Sequence, residues 1–202
     1  DGWPVFSISQ LSPHDTDRYV IQYISPVEPN QVAIGLDIAS ETNRRQAAYS
    51  AMLSGEVRLS APITLVQGLG QPQQSFLILM PIYRGGVTPD TIEAREAQAF
   101  GWSYAALSME EVLNGIRPPE QAVSLEIRDI TDATQSVVFY KTEDEITQEV
   151  VLSKTIVRDV YGRRWQLQFG VHPLFISQLR QTSPLLVMSL GLLLSVLLAA
   201  LV

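Results

Sequence analysis

The sequence predicts an α+β fold: two α/β modules in series, followed by a C-terminal transmembrane helix. The segment from Pro184 to Val202 contains no charged side chain, and about 20 apolar helical residues span the hydrocarbon core of a bilayer. Before it, short runs of β-branched and aromatic residues alternate with helical patterns. Arg117, Pro118 and Pro119 form the clearest linker and divide this part into two modules.

The first predicted module covers residues 1–116 and opens with a strand. Residues 17–24 alternate between polar and apolar side chains and include β-branched and aromatic residues, which is typical of a strand. A turn with two prolines follows at Ser25 to Asn30, and a second short apolar run lies at Val32 to Leu36.

A helix is predicted over residues 41–53. Ser40 is placed to act as its N-cap, and Gly55 stands where a C′ glycine ends a helix. Four small or apolar residues are spaced along one face and are expected to be buried: Ala47, Ala48, Ala51 and Met52. Arg44 and Arg45 are expected on the polar, solvated side; the alternative is that they reach an anionic ligand or a partner.

The rest of the first module is predicted to be mostly strands. Apolar runs predict strands at residues 57–59, 63–67, 75–83 and 100–107. The stretch between the last two is rich in Gly, Pro and Glu and is expected to be a loop. Ser108 and Glu111 match a capping box, which predicts a short helix at Met109 to Asn114.

The second predicted module covers residues 117–172 and is rich in strands. Strand-like segments separated by turn residues lie at residues 122–130, 136–141, 149–157 and 164–171. A third part, residues 173–202, consists of a connecting helix at about Pro173 to Gln181 and the predicted membrane span.

Composition excludes several classes of function. The net charge is −7, and an acidic surface repels nucleic-acid phosphates, so we expect no nucleic-acid partner. There is no cysteine, which rules out disulfides, zinc–thiolate sites and thiol nucleophiles. A domain without cysteine beside a membrane helix fits a bacterial extracytoplasmic compartment at least as well as it fits the cytosol.

A string of motifs resembles the CHASE family, whose members are extracytoplasmic sensor domains of transmembrane histidine kinases, nucleotide cyclases and diguanylate cyclases, including plant cytokinin receptors. The matching pieces are Pro26, Asn30 and the GLD of residues 35–37, the arginine-containing helix ending at Gly55, SAPITLVQ at residues 60–67, PIY at residues 81–83, and the strand from Gly101 to Tyr104. The resemblance covers about residues 17–116 well.

The resemblance implies a fold, a location and a function. It implies two PAS-like α/β modules, membrane-distal and then membrane-proximal, stacked on a long N-terminal helix between two membrane helices. We expect residues 1–183 to be periplasmic, with the chain a fragment of an inner-membrane receptor that works as a homodimer. A small molecule would bind, and a cytoplasmic kinase or cyclic-nucleotide enzyme outside this chain would respond. The alternative is a membrane-anchored structural or scaffolding domain without a ligand.

Five residues are candidates for ligand binding. Asp37 follows a short apolar run and precedes a helix, so its carboxylate could accept hydrogen bonds from a ligand or from helix N–H groups. By the resemblance, an Asp at this place contacts ring nitrogens of a ligand, and Leu59 corresponds to a pocket wall. Tyr83, Trp102 and Tyr104 could close a pocket around a flat ligand; for each, core packing is the alternative. By the resemblance, relatives that bind plant hormone carry small residues near the position of Tyr104. The larger ring of Tyr104 therefore argues against a plant hormone as the ligand.

The sequence indicates no enzyme, metal site or cofactor. The two histidines, His14 and His172, are far apart in the sequence and lack the spacing of metal ligands. There is no HExxH, GxSxG or P-loop motif. The pair Gly68 and Gly70 is followed by Gln and Pro, so it does not match a dinucleotide fingerprint.

Overall fold

The computed structural model describes residues 7–64, 74–114, 122–142, 149–179 and 188–192. Within these ranges the fold is mixed α/β, with two four-stranded sheets, one two-stranded sheet and a small number of helices. The predicted mixture of helix and sheet is therefore confirmed. The likeness of the two modules to PAS domains stays a prediction.

The first large sheet is built around one long strand. β5 (Gln74–Tyr83) pairs antiparallel with β6 (Ala99–Ser108) along its length. Its other edge pairs with two short strands, β3 (Arg58–Leu59) and β4 (Ile63–Thr64). All four strands lie at predicted positions, and their alternating side chains give the sheet two distinct faces.

One face of this sheet is covered by α1 (Thr42–Ser54). The predicted apolar face of α1 is buried, as expected, and Gly55 ends the helix with φ 71° while its N–H donates to the carbonyl of Ala51 at 2.9 Å. The predicted cap is wrong. Glu41 is the N-cap, and its carboxylate accepts hydrogen bonds from the backbone N–H groups of Asn43 and Arg44.

The N-terminal segment pairs with the chain just before α1. β1 (Ser9–Gln10) lies parallel to β2 (Leu36–Asp37), and a 3₁₀ helix at Glu28–Ala33 leads into β2. The predicted strand at residues 17–24 is reduced to a single bridge between Val20 and Asp37. Because β2 is only two residues long, it offers too few partners for a longer ladder.

The second large sheet is antiparallel throughout and confirms the four predicted strands. Its order is β8 (Val137–Lys141), β7 (Val123–Asp129), β10 (Arg163–Val171) and β9 (Leu152–Val160). β9 begins and ends about three residues later than its pattern predicts.

Two hydrophobic cores flank the first sheet because alternate residues of β5 point to opposite sides. Leu77 and Leu79 join the core beneath α1. Phe76 and Ile78 face the second sheet, where they meet Leu125 and other residues of the second module. The buried members of this second core are Leu59, Phe76, Met109, Leu125, Ile127 and Phe139. The two sheets therefore share one apolar interior.

The short helices show where local patterns succeed and fail. α2 (Ile92–Gln98) lies in the expected loop; it buries no residue, so it has no apolar face that a pattern could reveal. α3 (Met109–Asn114) is confirmed, but its capping box does not form, since the buried Ser108 hydroxyl has no hydrogen-bond partner among the described residues. α4 (Pro173–Leu179) confirms the described part of the connecting helix.

The predicted linker and most of the predicted membrane span lie outside the described residues. Of the segment 184–202, only residues 188–192 are described, and they are helical and exposed. In the ranges given above, no helix is both long and apolar enough to cross a membrane.

Candidate functional site

Asp37 lies at the end of β2, and its side chain is fully buried. One carboxylate oxygen, Oδ1, accepts hydrogen bonds from the backbone N–H groups of Tyr19 at 2.9 Å and Ala39 at 3.0 Å. The other, Oδ2, accepts from Nε2 of His14 at 2.8 Å and from the amide of Gln10 at 3.4 Å. The carboxylate therefore ties three points of the N-terminal segment to the start of the α1 region.

These hydrogen bonds decide the ionisation state of Asp37. Burial alone raises the pKa of a carboxyl group because it penalises the charged form. The donors from Tyr19, His14, Gln10 and Ala39 together outweigh this, so the pKa of Asp37 lies below its ordinary value. The group is a carboxylate at neutral pH, and its partner His14 must therefore present Nε2 as a donor.

Ser40 belongs to the same network, although it does not cap α1. Its hydroxyl donates to the backbone carbonyl of Asp37 at 2.5 Å and accepts from the N–H of Leu11 at 2.9 Å. Ser40 is buried. The expected cap serine thus acts as a second tie between the N-terminal segment and the Asp37 turn.

Trp102 and Tyr104 lie two residues apart on β6 and pack against the core beneath α1. The indole N–H of Trp102 donates to the carbonyl of Ala48 in α1 at 2.8 Å. The Trp102 ring contacts that of Tyr19, with 4.5 Å between ring centroids. Since the N–H of Tyr19 binds Asp37, Tyr19 connects the carboxylate to Trp102 on β6.

Tyr83 ends β5, where it pairs with Ala99 at the start of β6, and its side chain contacts α1. Its hydroxyl donates to the carbonyl of Met52 at 2.5 Å, one of the carbonyls that the last turn of a helix leaves without an intrahelical partner. Burial raises the pKa of Tyr83, against a smaller opposing effect of Arg95. Its hydroxyl is thus already used within the protein.

Leu59 lies apart from the other candidates. Its side chain belongs to the core between the two sheets, and its N–H donates to the carbonyl of Tyr161, just before β10, at 2.9 Å. The structure therefore brings Asp37 and Trp102 into contact with Tyr19. Tyr104 packs on the same core beneath α1, Tyr83 lies under the C-terminal end of that helix, and Leu59 lies in the other core.

Arg44 is the residue whose environment differs most from the expectation. The sequence places it on the solvated side of α1, yet its side chain is only 3% exposed. Arg45 is half-buried, and its guanidinium donates to the carbonyl of Ala39 at 3.0 Å. The motif spacing gives no sign of the burial of Arg44, because a guanidinium on a helix is normally solvated.

Both histidines bind hydroxyl groups. His14 Nδ1 lies 2.7 Å from the hydroxyl of Thr16, which completes a hydroxyl–imidazole–carboxylate chain with Asp37. His172 Nε2 lies 3.1 Å from the hydroxyl of Ser124, while its Nδ1 has no partner among the residues described. No three His, Asp or Glu side chains in the described part of the chain come together as a possible metal site.

Comparison with known families identifies a match over much of the chain. The family model described as the CHASE domain matches residues 1–140, which is more than half of the chain. The match includes α1 and the first large sheet, and it continues into β8 of the second sheet. No curated protein matches the chain significantly.

Proposed function

This chain belongs to the CHASE domain family, a family of extracellular sensor domains, and we propose that it binds a small molecule and passes the binding event to a membrane helix. The ligand would lie beneath α1, against the face of β6 that carries Trp102 and Tyr104. The observation that carries the proposal is the family match together with this aromatic face, which a single helix and the N-terminal segment cover.

The described contacts support a route from ligand to output. Movement of α1 or Tyr19 would act directly on β5 and β6, since Trp102 is hydrogen-bonded to α1 and its ring contacts Tyr19. The opposite face of the same strands packs on the second sheet through Phe76. β10 of that sheet leads directly into α4. A ligand that binds one arrangement of α1 more tightly than another would shift the population of molecules toward that arrangement.

We propose a periplasmic location for residues 1–183, a membrane helix at Pro184 to Val202, and a homodimer in which paired membrane helices report the change. The apolar composition of the segment supports the span. Gly191 and Ser195 are small residues four apart, which suits close helix contact. A cytoplasmic kinase or cyclic-nucleotide enzyme would respond to this change.

The alternative is a scaffolding domain without a ligand, and one observation favours it. The carboxylate of Asp37 is fully engaged by four donors of the protein itself. An Asp37→Ala variant would therefore lose stability in a sensor and in a scaffold alike, so it does not separate them. A variant on the aromatic face does.

Ligand-dependent stabilisation tests the sensor proposal. Thermal unfolding of the full chain should be measured against a panel of small metabolites, alongside mass spectrometry of molecules that co-purify with it. We expect at least one compound to raise the unfolding temperature of the wild type and to have a weaker effect on Trp102→Leu. Phe100→Leu, on the same strand but 73% exposed, is the matched control. If no compound acts on the wild type and none co-purifies, the scaffold is favoured.

We also propose that the chain itself has no catalytic activity, although Thr16, His14 and Asp37 are arranged as a hydroxyl, an imidazole and a carboxylate. Thr16 reaches a histidine only two residues away, which is a local contact of the kind found in turns. An acyl-transfer site also needs donors for an oxyanion, and the described contacts provide no such pair beside Thr16. Hydrolysis of 4-nitrophenyl acetate that Thr16→Val abolishes would contradict this.

A further inference from the structure

The buried guanidinium of Arg44 lies on the face of α1 that packs on the sheet. It shares that face with Ala48 and Ala51, one and two turns further along. Small alanines at these positions let the helix approach the sheet, whereas Arg44 introduces a long charged group at the N-terminal end of the contact. Charged side chains are almost never fully buried unless they are paired.

The pairing of Arg44 is incomplete. Its Nη2 donates to the carbonyl of Thr64 at 2.7 Å. Its Nε lies 3.8 Å from a carboxylate oxygen of Glu41, too far for a hydrogen bond. Both oxygens of Glu41 accept from backbone N–H groups at the helix start. In the described part of the chain, Nε of Arg44 therefore has no hydrogen-bond acceptor.

A second donor without a partner lies near Arg44 on the contact between α1 and β6: Trp102 binds Ala48, Tyr104 lies two residues beyond Trp102 on β6, and Arg44 lies one turn before Ala48 on α1. The phenol oxygen of Tyr104 is buried and has no hydrogen-bond partner among the described residues. Burial raises the pKa of Tyr104, only partly opposed by the charge of Arg44. The phenol therefore keeps its proton at neutral pH and is available as a donor. Burial likewise lowers the pKa of Arg44, against the opposing effects of Glu41 and Tyr104, but an arginine remains charged.

We propose that Nε of Arg44 and the hydroxyl of Tyr104 bind the carboxylate of a small organic acid, and that this acid is the ligand of the domain. The inference rests on the sensor function proposed above and names the chemical class of its ligand. Two buried donors, one of them on a positively charged group, bind most strongly to an acceptor with negative charge, because charge-assisted hydrogen bonds are the stronger ones. A carboxylate supplies two oxygens for two donors.

The local charge favours a carboxylate over a phosphate. The cation of Arg44 is partly balanced by Glu41, and the chain as a whole carries a net charge of −7. A phosphate would bring up to two negative charges to a place with one buried guanidinium, and its desolvation would cost more than that of a monoanion. With Arg44 and Glu41 both counted, a monocarboxylate adds one negative charge to the site, whereas a phosphate dianion adds two.

The position of Asp37 is consistent with this class of ligand. A ligand that offers N–H groups, as the family resemblance implies for Asp37, needs an acceptor, but that carboxylate already accepts four hydrogen bonds within the protein. The polar atoms beneath α1 that lack partners in the described ranges are donors, on Arg44 and Tyr104. The ring of Trp102, two residues from Tyr104 on the same face of β6, provides an apolar wall for the rest of the molecule.

Acid and amide pairs test the proposal on the full chain. Thermal unfolding should be followed with acetate, benzoate and cinnamate, each compared with its amide at equal ionic strength. We expect at least one acid to raise the unfolding temperature while its amide, which has the same shape without the charge, has no effect. Titration calorimetry with that acid then gives its affinity.

Two variants locate the binding. Tyr104→Phe removes only a hydroxyl that has no partner in the described structure, so the fold should be retained. It should weaken acid binding by about tenfold or more, the effect of one hydrogen bond to a charged group. Arg44→Gln should abolish binding. Tyr49→Phe, on the exposed side of α1, should bind the acid like the wild type.

The outcomes separate this inference from the function on which it rests. If a neutral or cationic compound stabilises the chain and no acid does, the domain is a sensor and the carboxylate proposal is wrong. An acid whose affinity is unchanged in Tyr104→Phe and in Arg44→Gln would also overturn it. If no compound of any class stabilises the chain or co-purifies with it, both proposals fail.

Discussion

The ring of Phe76 contacts the ring of Trp165 with 5.2 Å between their centroids, although the two residues belong to different sheets. Phe139 completes the group, 4.8 Å from Phe76 and 4.9 Å from Trp165. Phe76 is 1% exposed. This aromatic cluster joins the first large sheet to the second, so a change in one sheet has a direct packing path to the other.

Removal of the Phe76 ring is expected to destabilise both sheets together. Phe76→Ala should lower the free energy of unfolding by about 3 to 5 kcal/mol because it empties a buried aromatic site. Chemical denaturation followed by both far-UV circular dichroism and tryptophan fluorescence measures the loss. The two signals should change in a single shared transition.

Phe100→Ala is the matched control for Phe76→Ala, since Phe100 is 73% exposed and its loss should change stability by about 0.5 kcal/mol or less. Two separate transitions in the wild type, one for each sheet, would show that the modules are energetically independent.

The carboxylate of Asp37 is expected to be a major stabilising group of the N-terminal segment. Asp37→Ala leaves the N–H groups of Tyr19 and Ala39 without their acceptor, and we expect a loss of roughly 3 kcal/mol, typical of a broken buried network. Asp37→Asn keeps an acceptor for those two donors and should cost less. Urea denaturation measures both values.

Asp15→Asn controls for the loss of a carboxylate near the N-terminus, because Asp15 is exposed. It should behave like the wild type. Equal losses of unfolding free energy in Asp37→Ala and Asp15→Asn would show that the buried network contributes no more to stability than an exposed carboxylate does.

Acid should weaken the fold through Asp37. The pKa of this carboxyl is lower in the folded protein than its ordinary value of 3.8, so the unfolded state binds the proton more readily and stability rises with pH in this range. The contribution is complete above the unfolded pKa and is lost as the pH falls through the folded one. Denaturation midpoints between about pH 2 and pH 6 should show a shallower acid slope in Asp37→Asn than in the wild type. Identical slopes would contradict the assignment.

Trp102 and Trp165, both half-buried, offer a direct comparison of a hydrogen-bonded and an unpartnered N–H group. Trp102 donates to Ala48, whereas the N–H of Trp165 has no partner among the described residues. Trp102→Phe and Trp165→Phe lose similar ring area, so the first should be more destabilising by about 1 kcal/mol, the net value of one hydrogen bond. Thermal unfolding of both variants measures the difference, and a larger loss in Trp165→Phe would contradict it.

Local sequence predicted the elements whose causes are local. Gly55 ends α1 because its backbone requires positive φ, and alternating apolar residues predicted β5, β6 and the four strands of the second sheet. The sequence predicts Asp37 as a candidate because a carboxylate before a helix can accept hydrogen bonds from a ligand or from the helix N–H groups. Its role as an acceptor from the N–H of Ala39 agrees with that reason.

The contacts that decide the site are long-range in sequence, and no local pattern contains them. His14 meets Asp37 only because β1 and β2 pair. Leu59 points into the core between the sheets because β3 pairs with β5 in a particular register. The hydroxyl of Ser40 is hydrogen-bonded to Leu11 and Asp37, and Glu41 is the residue that caps α1.

The sequence by itself thus determined the mixed α/β class, most of the strands, and the family through its motifs. Only the tertiary structure decided which polar groups are satisfied, since this depends on atoms brought together from distant parts of the chain. Asp37 became an acceptor whose hydrogen bonds are made within the protein, and Arg44 became a buried cation with an unpartnered donor in the described structure. Hydrogen bonding and burial are properties of the packed molecule, and a one-dimensional pattern records neither.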